Sequence, residues 1–378
     1  MDVRQPDPKG TAAAGEAQLF PCPKCGGQLE WDPSHQEMRC PYCDSLIPVP
    51  AQPGFKAQEH DLLSFLEEHP RSEGYGVALE QLSCQQCGAA IQVPPGRRDL
   101  TCPFCGSAYV LEAEKPSAEV IRPESVVPFH VDKAASQGRF QSWIGSGWFR
   151  PNDLKKMSKL DRVLGLYLPF FTFDALAHSL WTAMAGYTYT VVERVAVQEQ
   201  GRTVWRDQPV QRIRWEPASG ERTDRYDDVL VPAVQQERLD LILKVYPYDM
   251  KGLVPYNPMV LAGFGILNAD MALKMVYQIA RNSMQADQEE RCGRDVPGDT
   301  HQNLAVRMTL SQQTFKHLLC PLWVGSFQYK GRVFPFVVNG QTGALYGEKP
   351  WSWVKIGFAS AAAALVLLLV YFFFLRGH

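Results

Sequence analysis

Eight of the ten cysteines fall into four Cys-x-x-Cys pairs, Cys22/Cys25, Cys40/Cys43, Cys84/Cys87 and Cys102/Cys105. Fourteen residues separate Cys25 from Cys40, and fourteen separate Cys87 from Cys102. Each cysteine of the first set recurs 62 positions later in the second, so one unit is used twice. The spacing suits tetrahedral metal: two intervening residues let a tight turn present two thiolates, and two such turns close a site. The reading is two tandem zinc ribbons, with all eight cysteines as ligands of two structural Zn²⁺ ions.

Gly26, Gly88 and Gly106 follow the second cysteine in three turns, where a positive φ is expected, and Asp44 takes that place in the fourth. Pro23, Pro41 and Pro103 stiffen three turns, and Gln85 stands in the other. Strand-like segments flank the knuckles at Gln28–Trp31, Leu46–Val49, Ala90–Val93 and Ala108–Leu111. A unit of this size buries too little apolar surface to fold alone, so zinc binding, worth about 10–16 kcal/mol in comparable sites, would fold it. Four protein ligands leave no position open for substrate. A thioredoxin-like redox pair needs one Cys-x-x-Cys, not four in tandem. Iron shares the ligand set and spacing does not separate it, although ligand type favours zinc. His35, His60 and His69 are left without a metal role.

The second constraint is the run Ile356–Leu375, twenty residues without a charge. At 1.5 Å per residue it would span about 30 Å, the thickness of a bilayer's hydrocarbon core. Trp351 and Trp353 stand where an interfacial aromatic belt would, and Lys349 and Lys355 against Arg376 favour a cytoplasmic location for the preceding residues. Only three residues follow the run, so a tail anchor is expected. Residues 1–19 read as a disordered tail without the apolar run of a signal peptide. A reducing compartment follows, which agrees with metal rather than disulfides.

Between these landmarks the expected organisation is ribbon 1 over 20–50, a helical linker over 51–82, ribbon 2 over 83–115 and a mixed antiparallel α+β domain over 116–350. The linker carries a short helix, Asp61–Glu68, with Asp61 as its N-cap. In the larger domain Leu164–Phe173 reads as a buried strand and Ala269–Glu290 as a helix with Leu273, Val276, Ile279, Ala280 and Met284 inward. Tyr187–Val197 and Arg202–Trp215 suggest an antiparallel pair. Trp323–Tyr329, Arg332–Val338 and Ala344–Tyr346 form a closing meander.

No phosphate loop, H-E-x-x-H or G-x-S-x-G occurs. His317 and Cys320 are spaced to meet on one helical face, where packing outweighs a site. Asp224, Asp227 and Asp228 read as a solvated turn, and Trp143 and Trp148 as core anchors. Charge argues against nucleic acid. Residues 20–50 hold Lys24 and Arg39 against Glu30, Asp32, Glu37 and Asp44, and residues 83–112 hold Arg97 and Arg98 against Asp99 and Glu112. Neither ribbon is basic, as binding by phosphate neutralisation requires. The chain as a whole, with 38 basic and 40 acidic residues, is nearly neutral.

With the two ribbons, LGLYLPFFTFD, WEPASGERTDRYDDVLVP, VPYNPMVLAGF, TFKHLLCPLWVGSFQYKGRVFPFVVNGQTG and GEKPWSWVKIG, the chain resembles the bacterial membrane-anchored double zinc-ribbon proteins. These are often labelled TFIIB-type zinc-ribbon or primosomal-helicase-like. The resemblance runs from about Pro21 to the C-terminal run and implies a non-enzymatic adaptor at the cytoplasmic face of the inner membrane. It would recruit a flotillin-like (SPFH-domain) or phage-shock-type protein. The eight cysteines carry over as zinc ligands, no catalytic residue carries over, and Gln85 departs from the proline common in such knuckles. The alternatives are a nucleic-acid-binding ribbon protein and an enzyme housed in the α+β domain.

Overall fold

The computed structural model describes residues 20–49, 55, 57–68, 74–76, 79–93, 101–107, 121–157, 159–199, 202–234 and 239–376. The tail over 1–19 and the strand expected at Ala108–Leu111 lie outside them. The first cysteine unit supplies β1 (Glu30–Asp32), β2 (Glu37–Arg39) and β3 (Leu46–Ile47). After β4 (His60–Asp61) and α1 (Leu62–Glu68), the second unit supplies β5 (Glu80–Ser83) and β6 (Ala90–Val93). Asp61 caps α1 as expected, its carboxylate accepting from the Ser64 amide at 2.8 Å.

The remainder runs β7 (Ser125–Val126), α2 (Lys133–Ile144), α3 (Leu154–Met157), β8 (Lys159–Glu199), β9 (Arg202–Pro232), α4 (Leu239–Leu243), β10 (Val254–Pro255) and β11 (Gly265–Leu267). It closes with α5 (Leu273–Asp295), β12 (Thr300–Tyr329), β13 (Arg332–Asn339), β14 (Leu345–Gly347) and α6 (Trp353–Arg376). The mixed α+β class expected from the pattern is the class observed.

The sequence explains why β8 sits at the centre. Its apolar start around LGLYLPFFTF is buried on both faces, as an interior strand must be, with Leu166, Tyr167, Leu168 and Phe170 fully enclosed. β12 pairs antiparallel along one edge, from Thr300↔Gly186 to Gln328↔Lys159. On the other edge β11 pairs parallel at Leu166 and Tyr167, and β9 takes over from Phe170 to the hairpin end. Beyond β11 the sheet continues through β6 and β5.

From Ala175 onward burial in β8 alternates. Ala175, Ala177, Ser179, Trp181, Ala183 and Ala185 face inward and are covered by α5, whose Leu273, Val276, Ala280, Met284, Gln288 and Cys292 recur at helical spacing. The small residues let the helix approach the sheet. Ile279, expected inward, is half exposed on the helix flank. Gly220 is required under Trp181, because a Cβ there would meet the indole at 2.5 Å.

β12 begins at Thr300, opposite Gly186, so Tyr187–Glu199 and Arg202–Arg214 continue beyond it as a two-stranded arm. Thirteen residues at the rise of a strand make it about 40 Å long. Val192, Trp205 and Ile213 lie exposed on its face away from α5.

Three expectations are corrected. The cluster Asp224, Asp227 and Asp228 lies within β9 rather than in a turn, with Asp227 exposed and the other two bonded. Asp224 accepts from Arg222 at 2.5 and 3.0 Å, from Gln288 at 2.9 Å and from Arg291 at 3.1 Å, clamping α5 to the sheet. Asp228 pairs with Lys316 at 2.7 Å. FKHLLCPLW is strand, so His317 and Cys320 point to opposite faces; both are buried. Trp143 packs against Phe140, Phe327 and Phe336, but Trp148 is 83% exposed and anchors no core.

Candidate metal centres

Every knuckle is built by the same two backbone bonds. The amide at the fourth position after the first cysteine donates back to that cysteine's carbonyl: Gly26 to Cys22 at 2.8 Å, Asp44 to Cys40 at 3.0 Å, Gly88 to Cys84 at 2.8 Å and Gly106 to Cys102 at 2.8 Å. The cysteine's own amide then donates one residue further on, to Gly27, Ser45, Ala89 and Ser107. This closure needs a left-handed residue, and φ is +75° at Gly26, +54° at Asp44, +70° at Gly88 and +76° at Gly106. Asp44 bears the conformation while its carboxylate takes a 2.7 Å contact from Arg39.

The turns bring the sulfurs together in two groups, Cys22, Cys25, Cys40, Cys43 and Cys84, Cys87, Cys102, Cys105. Within each the ligand atoms all lie within 4.8 Å of one another. Sγ–Sγ separations are 3.7 Å for Cys22–Cys43, 3.4 Å for Cys25–Cys40, 3.5 Å for Cys84–Cys105 and 3.6 Å for Cys87–Cys102. Sulfurs about 2.3 Å from a tetrahedral ion would stand about 3.8 Å apart, so the groups fit one. A disulfide needs about 2.05 Å, and all ten cysteines are free. Each group is thus positioned to hold a metal ion.

Four thiols so close cannot ionise independently. Cys25 is pushed up to about 12 against the Gly27 amide, by the neighbouring sulfurs of Cys40 and Cys43. Cys43 is drawn down to about 6 by the Ser45 hydroxyl and amide. In the second group burial opposes ionisation of Cys84, yet Ser107 and the Cys87 and Gln86 amides bring it to about 6, while burial pushes Cys87 up. In each group fixed donors favour a thiolate at one sulfur, while the neighbouring sulfurs resist a second charge, which a bound cation would offset.

Ser45 and Ser107 are site residues that the motif search missed. Ser45 Oγ lies 3.2 Å from Cys43, and Ser107 Oγ lies 2.7 Å from Cys105 and 3.4 Å from Cys84. The signal was present, since these serines also stand 62 positions apart. Each is an outer hydrogen-bond partner of the ligand set.

The two groups are mounted differently. The first keeps a three-stranded sheet of its own and docks through side chains and single bonds: Trp31 N to Ala262 O at 3.1 Å, Gln36 Nε2 to Phe129 O at 2.6 Å and Ser34 Oγ to Asp132 Oδ2 at 2.8 Å. The second is woven into the main sheet, β5 pairing β6 and β6 pairing β11 through Ile91↔Leu267 and Gln92↔Ile266. Gln92 adds a buried bond to Asn268 at 2.7 Å.

A cleft of about 710 Å³ separates the first ribbon from the body, lined by Asp32, His35, Arg39, Asp44 and Asp132 among others. Three of its acids, Asp32, Asp44 and Asp132, are already engaged. His35 meets Asp32 at 3.0 Å, Arg39 meets Asp44, and Asp132 caps α2 by accepting from the Ala135 amide.

α6 stands clear of the body. Trp353–Phe374 is long and apolar enough to cross a membrane, and none of its most apolar window is buried. A soluble core helix would be covered.

No protein-family model matches the chain, and no solved structure gives a significant match. A protein of Bacillus subtilis (strain 168), named Uncharacterized protein YdjG, is 23% identical over 341 residues, 89% of this chain and 91% of that protein.

Proposed function

We propose that this chain is a membrane-held adaptor: two structural zinc ions shape its ribbons, α6 crosses a bilayer, and the body presents a docking surface to a protein partner at the cytoplasmic face. Zinc is favoured because four thiolates in a closed tetrahedral set suit it, and structural sites of this kind carry no open position. Thiols also have to stay reduced to serve as ligands, which supports a cytoplasmic location for the ribbons.

The observation that carries the adaptor reading is the arm. An isolated two-stranded hairpin is marginal in water, and here, among the described residues, no further strand pairs with either edge beyond Gly186 while Val192, Trp205 and Ile213 line one face. Such a surface suits strand addition or an apolar contact from another protein. A flotillin-like or phage-shock-type partner, implied by the family resemblance, is the candidate to test first.

The test is a pull-down from detergent-solubilised membranes. It compares the intact chain with a variant in which residues 188–213 are replaced by a two-residue turn. The adaptor reading expects a partner captured by the intact chain and lost from the shortened one, with metal content unchanged in both. Equal capture by the two would move the docking surface elsewhere.

A further inference from the structure

The loop between α2 and α3 is fastened to the head of α6, although about two hundred residues separate them in the chain. The Ser352 amide donates to the Phe149 carbonyl at 2.8 Å, and Lys355 Nζ donates to the Trp148 carbonyl at 3.1 Å. Arg150 Nη1 donates to the carbonyls of Lys349 at 2.6 Å and Pro350 at 3.2 Å, with its guanidinium 4.0 Å from the centre of the Trp351 ring. Lys349 Nζ in turn donates to Ser146 O at 3.0 Å and Ser146 Oγ at 2.9 Å, and also to Trp143 O. It lies 4.2 Å from the Trp143 ring, which packs on the core.

These bonds fix the level of Trp148. Its carbonyl is bonded by Lys355 in the first turn of α6, and its indole is exposed, as are those of Trp351 and the 77%-exposed Trp353. Three outward indoles and the cations Arg150, Lys349 and Lys355 surround the entry of an apolar helix. Tryptophan partitions to the membrane–water interface because its ring is apolar and its N–H polar, and lysine and arginine reach to the headgroups there. An indole as exposed as Trp148 gains nothing from water, whereas a bilayer entered by α6 would cover it.

We propose that the 145–150 loop seats Trp148 in the interface of the same bilayer that α6 enters. The partner of this surface is the lipid itself. The body is then held by two contacts, one in the chain before β8 and one at α6, and cannot swivel as it would on a single tether. The inference rests on α6 crossing the membrane.

The test reconstitutes the full chain in vesicles of equal parts phosphatidylcholine and phosphatidylglycerol, with acyl chains brominated near the headgroup, and measures tryptophan quenching. Trp148→Phe is compared with the wild type and with a Trp351→Phe/Trp353→Phe double variant. Because Trp148 is exposed, its replacement leaves the core intact. The proposal expects W148F to lose roughly a third of the quenchable fluorescence, and the double variant to retain a quenched component. Unchanged quenching in W148F, with all of it lost in the double variant, would overturn the loop contact and leave the span standing. Absence of quenching in every form would overturn both.

Discussion

The two cysteine ribbons share ligand spacing, knuckle bonding and the placing of a serine beside the sulfurs, yet they relate to the body in opposite ways. Ribbon 1 closes its own sheet and meets the body without a shared strand ladder, through bonds from Trp31, Gln36 and Ser34 and a common buried cluster that takes in Leu29, Trp31 and Met38. In ribbon 2, strands β5 and β6 form the end of the main sheet, with Ile91 and Gln92 in the backbone ladder. The same motif is therefore an appended module in one place and a structural edge in the other. Local sequence determines the metal site, but the neighbouring strand determines how far its loss spreads.

The largest expected difference comes from breaking each site. Cys102→Ser and Cys22→Ser should each abolish one metal and unfold its knuckles, because metal binding supplies most of a ribbon's folding energy. Cys102→Ser should also expose β6 and the β11 edge, lowering the body's Tm by about 5 °C if roughly 2 kcal/mol of sheet contact is lost. Cys22→Ser, which breaks no strand of the main sheet, should lower that Tm by less. Calorimetry of both variants checks this, and equal shifts would erase the distinction.

Cavity mutants sharpen it without touching metal. Ile91 and Met38 are both fully buried. Truncation to alanine should cost about 3 to 4 kcal/mol at either position. For Ile91→Ala the loss should appear in the unfolding of the main sheet, and for Met38→Ala most strongly in amide exchange of residues 20–49.

Acid offers a control belonging to neither ribbon. His317 of β12 is stacked on Phe171 of β8, and burial pushes its imidazole down to about 4, partly offset by the backbone at Ile121 and Arg122. The folded state refuses a proton that the unfolded chain accepts near 6.5. Stability present at neutral pH is therefore lost as pH falls from about 6.5 to 4, by roughly 3 kcal/mol. His317→Phe should remove that component while metal loss from the ribbons proceeds as before, which denaturant titrations across this window would show.

The smallest effect separates the knuckles themselves. Gly88→Ala should cost about 1 kcal/mol, since φ is +70° and no atom lies near the added methyl. Asp44→Gly relaxes the same conformation but gives up an exposed ion pair with Arg39, so the two small effects should nearly cancel. Chemical denaturation of the metal-loaded protein measures both.

Legibility followed the same divide. The cysteine turns, the left-handed position filled by Asp44, the α1 cap and the apolar run of α6 depend on neighbours in sequence, and could be read there. The reach of β8 could not. Leu164–Phe173 shows no period because both faces are buried, and the Ala175–Ala185 alternation uses small residues with little strand preference of their own. Only α5, packed from a hundred residues away, makes those alanines an interior. FKHLLCPLW suggested a helix for the same reason, an apolar run without period, and long-range pairing with β8 decided it. Trp148 was misread because size and apolarity predict burial, whereas this indole sits by the head of α6.

The account's central claim is that each four-sulfur group holds one zinc ion and does so independently of the other. Elemental analysis of the purified full chain, with Cys22→Ser/Cys25→Ser and Cys84→Ser/Cys87→Ser variants beside it, tests this directly. Two zinc ions per chain, falling to one in either variant, is the predicted result. Iron in place of zinc, fewer than two metals in the wild type, or loss of both metals from a single-ribbon variant would contradict it.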